Sequence, residues 1–307
     1  MHQPHDKFVK KTLRNRSAAL SFFKEYLPKQ IVEKIDWRTL KLCKGSFITS
    51  EMKDRFSDLL YMARMRGTLI YIYILFEHQS TVDPWMALRL LRYMLEIWEL
   101  FREQNSGEKK LPKILPLVLY HGTDEWSVKT NFIDLFQDTE LFESYIPDFN
   151  YELFDLSSIE DAEIKGTIMV RLFLTFLKNI FSNNHPEIFE KMLPMIVEMA
   201  QTDRGMDYIR ILLTYLCDTS ESLTLDDVEK KLLPLLDEKK GGEIMTLTER
   251  LIQKGKLEGK LEGKLELCQD LLNNGVLTSQ LSNHLKAKMV ELEKKLKNMP
   301  GAAPMPM

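Results

Sequence analysis

The sequence predicts an α/β domain ending near residue 156 and a mainly helical region after it. Two apolar, β-favouring runs, residues 69–76 and 114–120, read as strands buried on both faces. Between them lies a long amphipathic stretch that opens on Asp83-Pro84, and strands interleaved with long helices make an α/β fold. From Ile159 onward no strand-like alternation remains.

Residues 4–27 read as one amphipathic helix. Phe8, Leu13, Leu20, Phe23 and Leu27 lie near one stripe, Lys7, Lys10, Lys11, Arg14 and Arg16 fill its first half, and Pro28 closes it. Asp6 at its start is either a helix cap or an acidic group of a site. Strands are expected over residues 40–48 and 58–63. After Gln79, Asp83 suits an N-cap and Pro84 the first turn of a helix to about Gln104, burying Met86, Leu90, Tyr93, Met94, Ile97 and Phe101. Arg89 and Arg92 in its first half would contact phosphate, or Arg92 would pair with Glu96 at four-residue spacing. In the strand at 114–120, Pro116 points to an edge position or a bulge. His121 after it is either a proton-transfer or phosphate-binding group, or a histidine bonded to a turn. Residues 151–156, with Asp155, make one more strand.

Beyond residue 157, helices are expected over 167–181, 186–200 and 206–217, either packed on the first domain or tethered to it. Their Met and aromatic stripes read as core. A helical region at 157–250 then gives way to residues 251–299, where Gly-Lys-Leu-Glu occurs three times from Gly255. As a helix the repeat aligns Leu257, Leu261 and Leu265 for pairing. Its glycines and four-spaced lysines favour a marginal, solvated helix or linker. The tail, 300–307, is expected to be disordered.

The strand over 69–76 ends in Glu77, and a carboxylate there needs a partner or a metal. A turn at Arg66-Gly67, or over the four residues from Met65 to Thr68, with Gly67 supplying a positive φ, would set Asp58 opposite Leu75. Side chains alternate with period two, so Glu77 and Gln79 share the face of Asp58. Asp58 and Glu77 become diagonal neighbours roughly 7–8 Å apart at the backbone. Carboxylates converging from there can share one hard cation such as Mg²⁺.

Composition narrows the class. Hydrophobic content of 44% and charged content of 28% are ordinary for a globular protein, and no apolar run approaches the roughly 20 residues of a membrane helix. The N-terminus lacks a secretory pattern, and three widely spaced cysteines favour reduced thiols in a cytoplasm. The net charge of −3 hides an asymmetry: residues 1–66 hold 15 Lys/Arg against 7 Asp/Glu, and residues 128–307 carry −9. A basic front suits a polyanion, or is simply a solvated face.

Asp58, the strand after it and Glu77-x-Gln79 resemble the PD-(D/E)XK nuclease core, which has Asp on one strand and Glu-x-Lys on the next. Five words in order are more specific: Pro4-His5-Asp6-x-Phe8-x-Lys10, Ser57-Asp58-Leu59-Leu60-Tyr61, Tyr73-Ile74-Leu75-Phe76-Glu77-His78-Gln79-Ser80, Arg89-Leu90-Leu91-Arg92-Tyr93 and Leu119-Tyr120-His121-Gly122. Together they resemble the Rpn family of recombination-promoting nucleases, also labelled YhgA-like transposases, over about residues 4–130. The resemblance implies a mixed sheet flanked by helices over residues 1–156. It also implies a Mg²⁺-dependent DNA endonuclease with Asp58 and Glu77 as metal ligands. Asp6, or Glu25, would be a further acidic group. Gln79 stands where the wider superfamily has lysine, and can donate only a neutral hydrogen bond. Lys10, Lys11, Arg89, Arg92 and His121 would hold the DNA backbone, and a homodimer through the helical C-terminal region would supply two sites.

Overall fold

The structure is a computed structural model describing residues 4–43, 59–77, 82–182, 184–220, 222–274 and 279–297. The chain forms two compact units, Met1–Leu236 and Asp237–Met307. In the first, a five-stranded sheet runs β1 (Ile35–Leu42), β2 (Leu59–Met65), β3 (Thr68–Glu77), β4 (Lys113–Tyr120) and β5 (Glu152–Asp155), in that order. The first three strands are antiparallel and the last three parallel, so the sheet is mixed.

The β2–β3 register is constant from Leu59↔Ile74 to Met65↔Thr68. It is the register that the two-residue turn requires. Arg66 (φ 49°) and Gly67 (φ 81°) are both left-handed, the conformation whose twist matches flanking strands. One face of β2 and β3 carries Leu60, Tyr71 and Tyr73 into a core with Val118 and Tyr120. This core is covered by α4 (Met86–Gln104), which buries all six residues expected of it, together with Ala87. Helix α4 starts two residues after Pro84, because Asp83 Oδ1 accepts the Trp85 N–H at 2.9 Å and holds a turn ahead of it.

The N-terminal stretch is two helices, α1 (Pro4–Leu13) and α2 (Arg16–Tyr26), where the sequence suggests one. Asn15 makes the break: its Oδ1 accepts from the N–H groups of Ser17 (2.9 Å) and Ala18 (3.2 Å), which an uninterrupted helix would bond internally. The apolar stripe hides the break because both helices bury it. Strand β1 begins at Ile35, earlier than residue 40, and residues 44–50 lie outside the described ones. As an edge strand with a register shift between Asp36 and Lys41, it tolerates the polar residues that mask it in sequence. Arg16 covers this edge, donating to Leu40 O, Trp37 O and Arg38 O at 2.8–3.1 Å. Strand β4 is interior, and Pro116 sits where one flank is open, since pairing to β5 starts at Leu117.

The short α3 (Lys29–Val32) lies near the front of the chain, and β5 is followed in the same unit by α5 (Ile168–Lys178), α6 (His185–Met199), α7 (Asp203–Thr219) and α8 (Leu225–Leu232). Helices α5 and α7 pack on the front of the chain. The Phe8 ring lies 4.2 Å from Tyr215 and 5.4 Å from Phe173, and Thr12 Oγ1 lies 3.1 Å from the Tyr208 hydroxyl. On the sheet side, Phe22 and Tyr26 meet Phe154, and Phe23 meets Tyr61.

After α8 (Leu225–Leu232), the second unit contains α9 (Glu238–Asn274) and α10 (Ser279–Lys297). The Gly-Lys-Leu-Glu repeat is continuous helix within α9, with its pairing partner in the same chain. Leu261, Cys268 and Leu292 form a buried seam with Leu265, Leu285 and Met289 against it. A Cβ at Gly255, Gly259 or Gly263 would meet nothing within 4 Å, so packing does not demand these glycines. The tail, 300–307, lies outside the described residues.

Two outcomes test this account. Asn15→Ala is expected to lower unfolding stability by about 1 kcal/mol in urea titration, through loss of the cap. Gly259→Ala is expected to stabilise α9 by about 1 kcal/mol, slowing amide exchange there about fivefold.

Candidate functional site

The C-terminal ends of three parallel strands lie side by side, where open α/β sheets bind their ligands. Glu77 at the end of β3 pairs with Tyr120, which pairs with Asp155 at the end of β5. By alternation the Glu77 position belongs to the series of Tyr71 and Tyr73, on the α4 face. Leu60, opposite Tyr73, shares that face, and Asp58 stands two residues before it in the chain. Asp58 and Gln79 lie outside the described residues, as do the side chains of Glu77 and Asp6.

Asp155 is committed to local structure. Its Oδ1 accepts from the Ser157 N–H (2.9 Å) and hydroxyl (2.5 Å), and its Oδ2 from the Trp126 N–H at 3.4 Å. His121 is 2% exposed, which removes it from the surface that a DNA backbone would meet. Its ring stacks on Phe181 (centroids 5.4 Å, 10°) and lies 5.6 Å from that of His5. His5 Nδ1 in turn hydrogen-bonds the Tyr215 hydroxyl. The first turn of α1, and Asp6 with it, is thereby held at the end of β4. His5 was visible in the sequence beside Asp6. Tyr215, 210 residues away, carried no local signal.

The basic candidates separate. Arg89 pairs with Asp83 at 2.9 Å, and both side chains are largely buried. Arg92 is 60% exposed and reaches Glu96 at 3.3 Å, a pair the spacing allowed. Lys10 is half-buried and Lys11 exposed, about one and a half turns along α1 from His5. Glu25 is exposed near the end of α2.

Burial pushes the Tyr71 and Tyr151 hydroxyls up to about 12, so both stay protonated at neutral pH. It likewise pushes the Cys43 thiol up to about 12, leaving almost no thiolate. Among the described residues no three His, Cys, Asp or Glu side chains group to hold a metal ion, and no helix is long and apolar enough to cross a membrane.

The arginines are expected to differ in a thermal melt. Arg89→Ala removes the ion-pair partner of the largely buried Asp83 and should cost about 1–3 kcal/mol, whereas Arg92→Ala should stay within about 0.5 kcal/mol of wild type.

The chain matches the family described as "Putative transposase, YhgA-like" over residues 3–207. It is 29% identical over 254 residues to "Recombination-promoting nuclease RpnA" of Escherichia coli K12, covering 82% of this chain and 85% of that protein. It is 28% identical to "Recombination-promoting nuclease RpnD" of Escherichia coli O157:H7, over 81% of this chain and 94% of that one. A third relative, at 28% identity over 82% of each chain, is named "Inactive recombination-promoting nuclease-like protein RpnE". No solved structure matches. The family match spans the sheet, α1 to α6 and the start of α7, and the chain belongs to the YhgA-like family.

Proposed function

We propose that this chain is a metal-dependent DNA endonuclease acting in recombination, with a PD-(D/E)XK-type site on Asp58 and Glu77. One observation carries the reading. The β2–β3 register runs without a slip to Leu59↔Ile74, one residue short of Asp58, and Glu77 ends the adjoining strand in line with Tyr120. The printed names of RpnA and RpnD, nucleases that promote recombination, support it.

The donor set fits a hard divalent cation. Carboxylate oxygens are what Mg²⁺ takes, and Asp6, at the end of α1 anchored through His5, would join Asp58 and Glu77. When bound, such an ion supplies a water acidic enough to attack at neutral pH and neutralises charge on the phosphate. The chain's own residues would do the rest. Gln79 would donate a neutral hydrogen bond to a phosphate oxygen. Lys10, Lys11 and Arg92 would position the backbone without reading sequence. Arg89 would brace the start of α4 through Asp83. Cutting both strands takes two sites, which a dimer through the helical C-terminal region would supply.

The name of RpnE, together with Gln79 in the lysine position, favours a second reading: a DNA-binding or recombination-associated module with a weak or silent nuclease site. Plasmid nicking separates the two. Wild type is expected to nick with Mg²⁺ and not with EDTA, and Asp58→Ala to lose activity on the order of 100-fold or more. Equal cutting by both proteins would overturn the assignment of Asp58. Salt-sensitive DNA binding with no cleavage under any divalent ion would select the second reading.

A further inference from the structure

Of the four tryptophans, three are built into the fold. The indole N–H of Trp37 donates to Val32 O at 2.9 Å, that of Trp98 to Pro112 O at 2.8 Å, and that of Trp126 to Val128 O at 2.8 Å. Trp85 is 58% exposed, and no indole hydrogen bond is found for it among the described residues. Only its backbone is held, by Asp83. Tryptophan normally buries its ring and satisfies its N–H, so an indole displayed at the start of a helix offers an open π surface to a ligand.

Topology fixes where this indole stands. Strand β3 ends at Glu77, while β4 begins at Lys113, opposite Ile70, so α4 runs back from the Glu77 end of the sheet to the other. Met86 and Ala87 accordingly share a core with Tyr120, and Trp98 reaches Pro112 at the far end. Trp85 therefore lies at the same end as Glu77, Tyr120 and Asp155. Leu88, 48% exposed, and Arg92 follow at three and seven residues, on the same face of the helix. A flat π surface, an aliphatic edge and a guanidinium then stand in a row. The Asp83–Arg89 pair stiffens the turn beneath them.

That combination suits an unstacked base, its ring on the indole and its phosphate against the guanidinium. In an intact duplex the faces of the bases are covered. We propose that Trp85, with Leu88 and Arg92, forms a stacking platform for an unpaired base at the end of the sheet where β3 closes on Glu77. The preferred substrate is then DNA with single-stranded character: a gap, a flap or a displaced strand. This rests on the nuclease reading above and names its substrate class.

The test measures binding in EDTA, so that no strand is cut. The full chain is titrated against a short fluorescein-labelled oligothymidylate and against a duplex of the same length. Wild type should prefer the single strand, which should quench its tryptophan emission. Trp85→Ala should bind the single strand about tenfold or more weaker and lose the quench, while duplex affinity changes by less than about twofold. Trp85→Phe should keep most of the affinity, and circular dichroism should show both variants folded. Equal single-strand binding by wild type and a folded Trp85→Ala would overturn the proposal, as would equal losses on both forms of DNA. Trp85 emission that answers to protein concentration and not to DNA would also overturn it, marking the face as a protein contact. Binding in EDTA does not depend on Asp58 chemistry. Failure here therefore leaves the nicking result standing, and the reverse holds too.

Discussion

The two left-handed residues of the Arg66-Gly67 turn decide which side of the sheet each β2 side chain shares with its β3 neighbours. With β3 held by β4, a loop one residue longer or shorter would move the β2 side chains to the opposite face. Tyr61 would leave the α2 side, where its hydroxyl donates to Leu13 O and its ring meets Phe23. Leu60 would leave the core under α4. The turn thus sets two interfaces at once, and any pairing of Asp58 with the end of β3 depends on it. Strand β3 carries this constraint across the sheet, because it is antiparallel to β2 on one side and parallel to β4 on the other.

The helices after β5 are a wall of the same body. Phe8 of α1 is enclosed between Phe173 and Phe176 of α5 and Tyr208 and Tyr215 of α7. A helix clamped this way holds its first turn in place. The extent of the family match agrees with that architecture, for it passes the end of the sheet and stops inside α7.

What could be read in the sequence was local or periodic. Unbroken apolar runs revealed β3 and β4, a two-residue turn fixed the hairpin register, and a 3.6-residue period gave the buried side of α4. What could not be read was a competition between near-equal local choices, or a contact distant in sequence. Asn15 can sit in a helix or cap one, and here its side chain takes the Ser17 and Ala18 N–H groups as a cap. Arg89 and Arg92 look alike in sequence, but Asp83 claims the first. The enclosure of His121 by Phe181 and His5 needed the helical half to be folded over the strand end.

A four-residue repeat on a helix of 3.6 residues per turn advances each leucine by about 40° around the axis. The stripe therefore drifts: Leu257 is 49% exposed, Leu261 only 9%, and the contact passes on through Leu265 to Cys268. A drifting stripe meets a straight partner over a short distance only, and among the described residues the α9–α10 seam buries Leu261, Cys268 and Leu292. The sheet unit, by contrast, is knit by several layers of aromatic packing. Cooperativity follows core size, so the chain is built to unfold in two steps, the helical pair releasing first while the sheet stays intact.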